Sequence, residues 1–466
     1  MSLNLPPGDM PAEEFRRFGH EVVDWIADYL TDPGQMRVFP PFSPGHLVDA
    51  LPASGPGEGE PMERILADFR DLIVPHCTLW NHPRFFSYFS VSSSGPGILA
   101  EALIATLNMN GMLWRSSPAA TELEQVTLGW LREWLGLPER FFGMIHDTAS
   151  TSTFHAILAA RAMAEPESRE RGSAPGLVLY TSEQAHSSVE KGALALGIGR
   201  QNVRRIPCDA AFQMRPEALG EAIGSDRAAA LRPFCVVATV GTTATTAIDP
   251  VPAIADICER EGLWLHVDAA YGGHLGLLPE RRHVLAGCDR AQSFVVNPHK
   301  WLFTPIDLSA FYTTRPDVLR GALSLVPEYL RSADDPRAIN FMDYGVPLGR
   351  RFRSLKLWFV MRYFGRNHIA AIIRHHLELA RYFADQVAAD DRFELCAPVP
   401  MSLVCFRLRD SDEANRRLFD RLNASGEGFF SHNVLEGRFV LRFALGNIHQ
   451  RRPDVDAVWK LIRTLI

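Results

Sequence analysis

The chain has 466 residues, 47% hydrophobic and 22% charged, with a formal net charge of −6. That length allows one large core plus one or two smaller units, and the composition is that of an ordinary soluble globular protein. The mild negative charge gives no reason to expect nucleic acid, and no run approaches the ~18 consecutive apolar residues of a membrane span.

In chain order, Met1 to Asp9 lacks a basic region followed by an apolar one, so no secretory signal is read there. Pro11 suits a helix first turn, and Phe15, Phe18, Val22, Trp25, Ile26 and Tyr29 recur at helical spacing until Asp32-Pro33-Gly34 stops the pattern. A Pro/Gly-rich stretch runs from Val38 to Pro61, followed by an amphipathic run from Met62 to Val74. This opening segment, 1–94, has little with which to build its own core and is expected to pack on a symmetric partner subunit. From 95 to 355, short β-type runs (Leu177 to Tyr180, Phe234 to Val240, Leu263 to Val267, Phe294 to Val296, Leu308 to Tyr312) alternate with helical ones such as Val251 to Glu261. That alternation predicts a mainly parallel α/β sheet, with ligands at the carboxyl ends of its strands. The remainder, 356–466, opens with a long helix and continues with strand-like runs at Ser402 to Leu408 and Arg438 to Phe443, a small α+β domain. The seven cysteines are odd in number, scattered and without a C-x-x-C pair, which reads as reduced core thiols in a cytoplasmic protein. No metal-ligand motif is read.

Two strand ends carry the chemistry. Leu263 to Ala270 delivers Asp268 at the end of a buried-strand pattern, and Ser293 to Trp301 delivers Lys300 at an exposed-type turn after another. A lysine and an aspartate on neighbouring strand ends are what pyridoxal phosphate requires: the amine forms a Schiff base with the aldehyde, and the carboxylate keeps the pyridine nitrogen protonated. Each alone is more often a solvated end or a loop cap. Asp147 to Ala156 precedes a helical run, and small hydroxyl residues at a helix start bind phosphate through free N–H groups, although a plain Ser/Thr N-cap is the commoner outcome. His186, in Gln184-Ala185-His186-Ser187-Ser188, follows a strand and lies at the same rim, where it either stacks on a cofactor or is an ordinary loop histidine. Thr239-Val240-Gly241-Thr242-Thr243 ends another strand, a weak signal by itself.

With these motifs in place, the chain resembles the group II pyridoxal phosphate-dependent decarboxylases, in the aromatic L-amino-acid decarboxylase branch, from about residue 10 to the end. The resemblance rests on Ser117 to Glu124, Gln184 to Val189, His266 to Tyr271, Asn297 to Trp301 and Pro347 to Arg353. It implies a type I, aspartate aminotransferase-like fold and a homodimer with active sites at the interface. By motif it implies Lys300 as the Schiff-base lysine and Asp268 as the partner of the ring nitrogen. Ala149 and Ser150, with Asn297 and His299, would hold the phosphate; Ala270 and Thr243 would lie beside the ring, and His186 over it. Tyr329 matches the tyrosine of a closing loop that returns a proton to Cα. Trp80, Val91, Gly349 and, from the other subunit, Asn110 and Met112 match substrate-pocket positions.

The departures bear on substrate. Phe85 to Phe89 is followed by Ser90-Val91, where the family often has Pro-Thr; the missing hydroxyl argues against a strict catechol preference. Gly349 leaves room for an indole. The expected reaction is therefore conversion of an aromatic L-amino acid, tryptophan- or phenylalanine/tyrosine-like, to its amine and CO₂. The rivals are an aldehyde synthase, which typically replaces the tyrosine or the histidine, a decarboxylase of a non-aromatic amino acid, an aminotransferase using Arg350, Arg351 or Arg353, and a non-catalytic homologue.

Overall fold

The computed structural model describes residues 8–325 and 337–466. Its main sheet has seven strands: β1 (Phe142–His146), β2 (Leu177–Ser182), β3 (Val203–Ile206), β4 (Arg232–Thr239), β5 (Trp264–Asp268), β6 (Ser293–Val296) and β7 (Ser309–Thr313), in the order β1-β7-β6-β5-β4-β2-β3. β2, β3, β4, β5 and β6 pair in parallel; β7 runs antiparallel to both β6 and β1. β2, β5 and β6 are buried throughout, as expected of parallel strands covered on both faces. Helix Ala149–Ala164 lies across β4 to β7, with one face of Ala156, Ile157, Ala159 and Ala160 in the core.

A second sheet of β8 (Phe393–Leu395), β9 (Leu403–Leu408), β10 (Ser431–Leu435) and β11 (Arg438–Ala444) is antiparallel, in the order β10-β11-β9-β8. Its core stacks Phe383 on Phe443 and packs Trp459 edge-on against Phe383. Phe86 stacks on Phe443 at 4.2 Å, and its backbone is tied to Phe429 and Ala444. Phe85–Phe89, read as the tail of the amino-terminal segment, is thus anchored on this second sheet.

The anticipated strands are all present. β1, β3, β8 and β10 were not anticipated: β1 carries a glycine and a histidine, β8 has three residues, β3 is an edge strand reading Val-Arg-Arg-Ile, and β10 opens on three polar residues, Ser-His-Asn, before Val-Leu. Edge strands carry charge because it deters further pairing, and that charge hides their periodicity. Two expectations about exposure are corrected. Lys300 is not in an exposed turn: it lies in the helical turn Pro298–Trp301, whose Pro298, His299 and Trp301 are buried. Cys77 is an exposed thiol rather than a core one, and Cys208 and Cys396 are half-buried.

The arginines after Pro347 are occupied. Arg350 donates to Glu124 Oε1 (2.7 Å) and to the Ile145 carbonyl (2.9 Å), Arg351 pairs with Glu101, and Arg353 pairs with Asp307 (2.8 Å). Glu124 and Arg350 are both nearly enclosed, so removing one leaves the other charge buried alone. Arg350→Met is therefore expected to cost about 3–5 kcal/mol, read from the urea midpoint; a loss below 1 kcal/mol would show that the pair is not structural.

Candidate active site

The carboxyl ends of the parallel strands open on a cavity of about 180 Å³. β5 ends in Asp268, and its partner β6 leads into the turn bearing Lys300; the register pairs Asp268 with Val295. Both side chains line the cavity, with Thr148, Ala149 and Ser150 from one helix start, His186 after β2, and Thr239, Gly241 and Thr243 from the end of β4. Ala270, Tyr271, Asn297 and Phe89 complete the wall.

Asp268 is almost fully buried and accepts the Ala270 N–H at 3.1 Å. Burial lowers the affinity of the Lys300 amine for its proton, and the Asp268 charge opposes this only in part. Lys300 Nζ stands 5.2 Å from the centre of the Phe89 ring. A lysine more easily deprotonated than in water is a better nucleophile toward a carbonyl.

His186 Nδ1 accepts the Ser188 backbone N–H at 3.2 Å and lies 2.9 Å from the Ser188 hydroxyl. Burial lowers its pKa, with Lys300 and Lys191 adding to the effect and Asp268 opposing it. A neutral ring whose Nδ1 accepts must carry its proton on Nε2. His186 is thereby fixed as a hydrogen-bond donor at Nε2.

The helix starting at Ala149 has Thr148 as its N-cap, with no side-chain cap bond, so the alternative of a plain Ser/Thr cap is not what forms. The first-turn N–H groups have no partner within a helix, and the positive dipole end favours an anion. Asn297 is held by Ser309 (2.7 Å) and lies 3.2 Å from His299 Nε2. His299 itself is not on the cavity wall; its Nδ1 accepts the Leu308 N–H at 3.0 Å.

Thus Ala149, Ser150, His186, Thr243, Asp268, Ala270, Asn297 and Lys300 come together on one cavity, with His299 behind Asn297. The expected substrate positions do not line it. Trp80 is part-exposed and stacks on Tyr88 at 5.6 Å; Val91 is half-buried. Asn110, Met112 and Gly349 form a separate group: Asn110 Oδ1 accepts the Arg350 N–H (2.9 Å), its Nδ2 lies 3.7 Å from Met112 Sδ, and a Cβ on Gly349 would lie 3.7 Å from Asn110 Nδ2. Tyr329 lies outside the described residues.

Five cavity residues were not named individually as site candidates: Thr148, Thr239 and Gly241 lie within stretches read for phosphate or cofactor contact, while Phe89 and Tyr271 lie only in runs that carry the family resemblance. Gly241 had a signal, since its φ of +91° needs glycine in a turn after a strand. Tyr271 had none; it is fixed by stacking between Phe89 (3.9 Å) and Trp301 (4.4 Å).

The residues fit pyridoxal phosphate on the structure's own terms. Thr239 Oγ1 is buried on the cavity wall with no hydrogen-bond partner, a polar group that a ligand would satisfy. The helix start suits a phosphate, Lys300 an aldehyde and Asp268 a protonated ring nitrogen.

A pyridoxal-dependent decarboxylase conserved domain matches residues 44–409. The chain is 43% identical to aromatic-L-amino-acid decarboxylase of Bos taurus, with 98% of this chain and 96% of that protein covered. It is 40% identical to phenylacetaldehyde synthase of Petunia hybrida, covering 97% and 94%. The crystal structure of Oryza sativa TDC with PLP and tryptamine superposes with a TM-score of 0.95 at 38% identity, covering 98% and 99%. The chain belongs to the pyridoxal-dependent decarboxylases. It is a pyridoxal phosphate-dependent amino-acid decarboxylase with the type I fold of that family.

Several histidines around the site are buried and neutral. Burial holds His266 and His274 at about 4, and His299 and His376 at about 3, against 6.5 in the unfolded chain. His376 Nδ1 accepts the Trp301 indole N–H and its Nε2 faces the Asn447 carbonyl, an arrangement only the neutral ring satisfies. A base with a depressed folded pKa contributes stability that is complete above its unfolded pKa and is lost as the pH falls toward the folded one. Unfolding free energy is expected to drop from pH 6.5 toward 4, and His376→Gln to reduce that slope by up to about 1.4 kcal/mol per pH unit. A slope unchanged in the variant would contradict this.

Proposed function

We propose that the cavity of Lys300 and Asp268 decarboxylates an aromatic L-amino acid to its amine. The observation that carries the reading is the enclosure of a lysine amine, its pKa lowered by burial, with a buried carboxylate, a free helix start and an unpartnered hydroxyl in one small cavity. Lys300 would hold the cofactor aldehyde, Asp268 its ring nitrogen, and Ala149, Ser150 and Asn297, with His299 behind, its phosphate. Thr243 and Ala270 would flank the ring. When bound, pyridoxal phosphate supplies the electron sink for the bond broken at Cα. The chain's part is to align that bond and to place charge: Asp268 stabilises positive charge at the ring nitrogen, and His186 presents Nε2–H to the substrate. The apolar faces of Phe89 and Tyr271 keep water away from a carboxylate that departs as neutral CO₂. Tyr329 is assigned the proton returned to Cα.

Aromatic substrates are favoured by the relatives' names and by the exposed stack of Trp80 on Tyr88, next in the chain to cavity-lining Phe89. Val91 and Gly349 favour an indole or unsubstituted ring over a catechol. An aminotransferase needs an arginine free to take the substrate carboxylate, and Arg350, Arg351 and Arg353 are all paired.

The working unit is proposed to be a homodimer. Leu99, Leu103 and Leu107 form an exposed stripe on one helix, and helix Ala12–Thr31 buries Phe18 alone while exposing Phe15, Val22 and Val23. Asn110, Met112 and Gly349 would complete the partner's substrate pocket. The parts 1–94, 95–355 and 356–466 would then be the interface segment, the large cofactor-binding α/β domain and the small carboxyl-terminal α+β domain. Free thiols at all seven cysteines fit a cytoplasmic setting, and among the described residues no helix is long and apolar enough to cross a membrane.

The test is product analysis on Trp, Phe, Tyr, Dopa, Glu, Asp and 2,4-diaminobutyrate, scoring amine, aldehyde, ammonia and peroxide together. Amine from an aromatic substrate with little peroxide is expected; amine from an acidic or basic substrate alone overturns the substrate class. Lys300→Ala is expected to abolish turnover while still binding the cofactor non-covalently, and normal turnover would refute the assigned role. Tyr329→Phe is expected to divert product from amine to aldehyde, an outcome the same assay reads.

A further inference from the structure

Arg442 projects from β11 into the interior, 4% exposed, and no carboxylate among the described residues lies within ion-pair distance of it. A buried guanidinium without a counter-ion persists only if its N–H groups are otherwise satisfied. They are, by oxygens of two segments far away in sequence. Nη2 donates to the Thr243 carbonyl at 2.6 Å and to the Tyr88 carbonyl at 3.4 Å, and Nε donates to the Ala244 carbonyl at 3.3 Å. Nη1 donates to Ser431 Oγ at 2.7 Å, and the same Ser431 oxygen accepts the Tyr88 backbone N–H at 3.2 Å. Both backbone polar groups of Tyr88 are therefore held by Arg442, one directly and one through Ser431.

Tyr88 needs holding. Its φ is +50°, the left-handed region that a tyrosine adopts only under constraint. This conformation leaves Tyr88 exposed and the next residue, Phe89, buried on the cavity wall opposite the Lys300 amine. Thr243, gripped by the same guanidinium, lines the same cavity.

We propose that Arg442 is a positioning residue that sets Phe89 and Thr243 against the cofactor site by clamping the backbones of Tyr88 and Thr243–Ala244 to the second sheet. The inference rests on the assignment of the cavity to pyridoxal phosphate. A planar fork with five donors makes these contacts at once, and an ammonium cannot, so lysine is not an adequate replacement.

The test uses the full-length protein with Arg442→Lys, Arg442→Met and Arg442→Ala, first without cofactor. Backbone hydrogen exchange is expected to rise at least tenfold in 86–91 and 242–247 while β5 and β6 keep wild-type protection. In the reconstituted enzymes, pyridoxal phosphate affinity and kcat are each expected to fall at least tenfold in Arg442→Lys, and guanidinium chloride at millimolar concentration to restore part of both in Arg442→Ala. If Arg442→Met or Arg442→Ala does not fold, Arg442→Lys decides alone. Unchanged exchange in the two segments, or a uniform rise across the whole chain, overturns the clamp. Wild-type protein that takes up no pyridoxal phosphate would instead refute the cavity's assignment, and exchange in the cofactor-free variants would still judge the clamp.

Discussion

A lysine amine and a carboxylate enclosed in the same small cavity constrain everything else in this molecule. Left in water, Lys300 would be a protonated, inert ammonium; taken out of water with Asp268 as its main compensation, it binds its proton less tightly. The enclosure needs at least one wall that is apolar and well packed. Phe89, Tyr271 and Trp301 supply one as three parallel rings, continued by the Trp301 hydrogen bond to His376, in the second of the two helices that make up Ser354–Ala388 on either side of a kink at Gly365. The stack ties the lysine-bearing turn to the carboxyl-terminal half of the chain.

The parallel sheet explains why these groups converge. Parallel strands end on the same side, so β2, β4, β5 and β6 deliver His186, Thr239, Asp268 and Lys300 to one rim, although the first and last are 114 positions apart (300 − 186). The helix across β4 to β7 brings its free N–H end to the same place. The second sheet contributes no cavity-lining residue; its influence comes through backbone contacts, as in the grip of Arg442 on Thr243 and Tyr88.

What the sequence made legible follows from this division. Asp268 and Lys300 follow buried strands, whose continuous apolar runs are visible without a structure, and His186 and Thr243 follow by the same logic. Phe89 and Tyr271 were not legible as site residues because aromatic side chains are ordinary core components until their neighbours are known. Arg442 was invisible for a related reason: an arginine in a strand reads as an edge or surface residue, and its partners lie about 200 and 350 positions away. The motif run Pro347 to Arg353 marked the family, while only the structure shows that its arginines are spent on Glu124, Glu101 and Asp307. Asn110, Met112 and Gly349 cluster together yet away from the lysine cavity, which is why the part proposed for them in substrate choice is tied to the proposed homodimer.

The central claim is that Lys300 carries the cofactor in the cavity it shares with Asp268. Borohydride reduction of the cofactor-loaded protein, followed by peptide mapping, tests it most directly. A single pyridoxyl-modified peptide containing Lys300, absent from Lys300→Ala, is the result expected. Modification of another lysine, or none in a protein that nevertheless decarboxylates amino acids, would contradict the account.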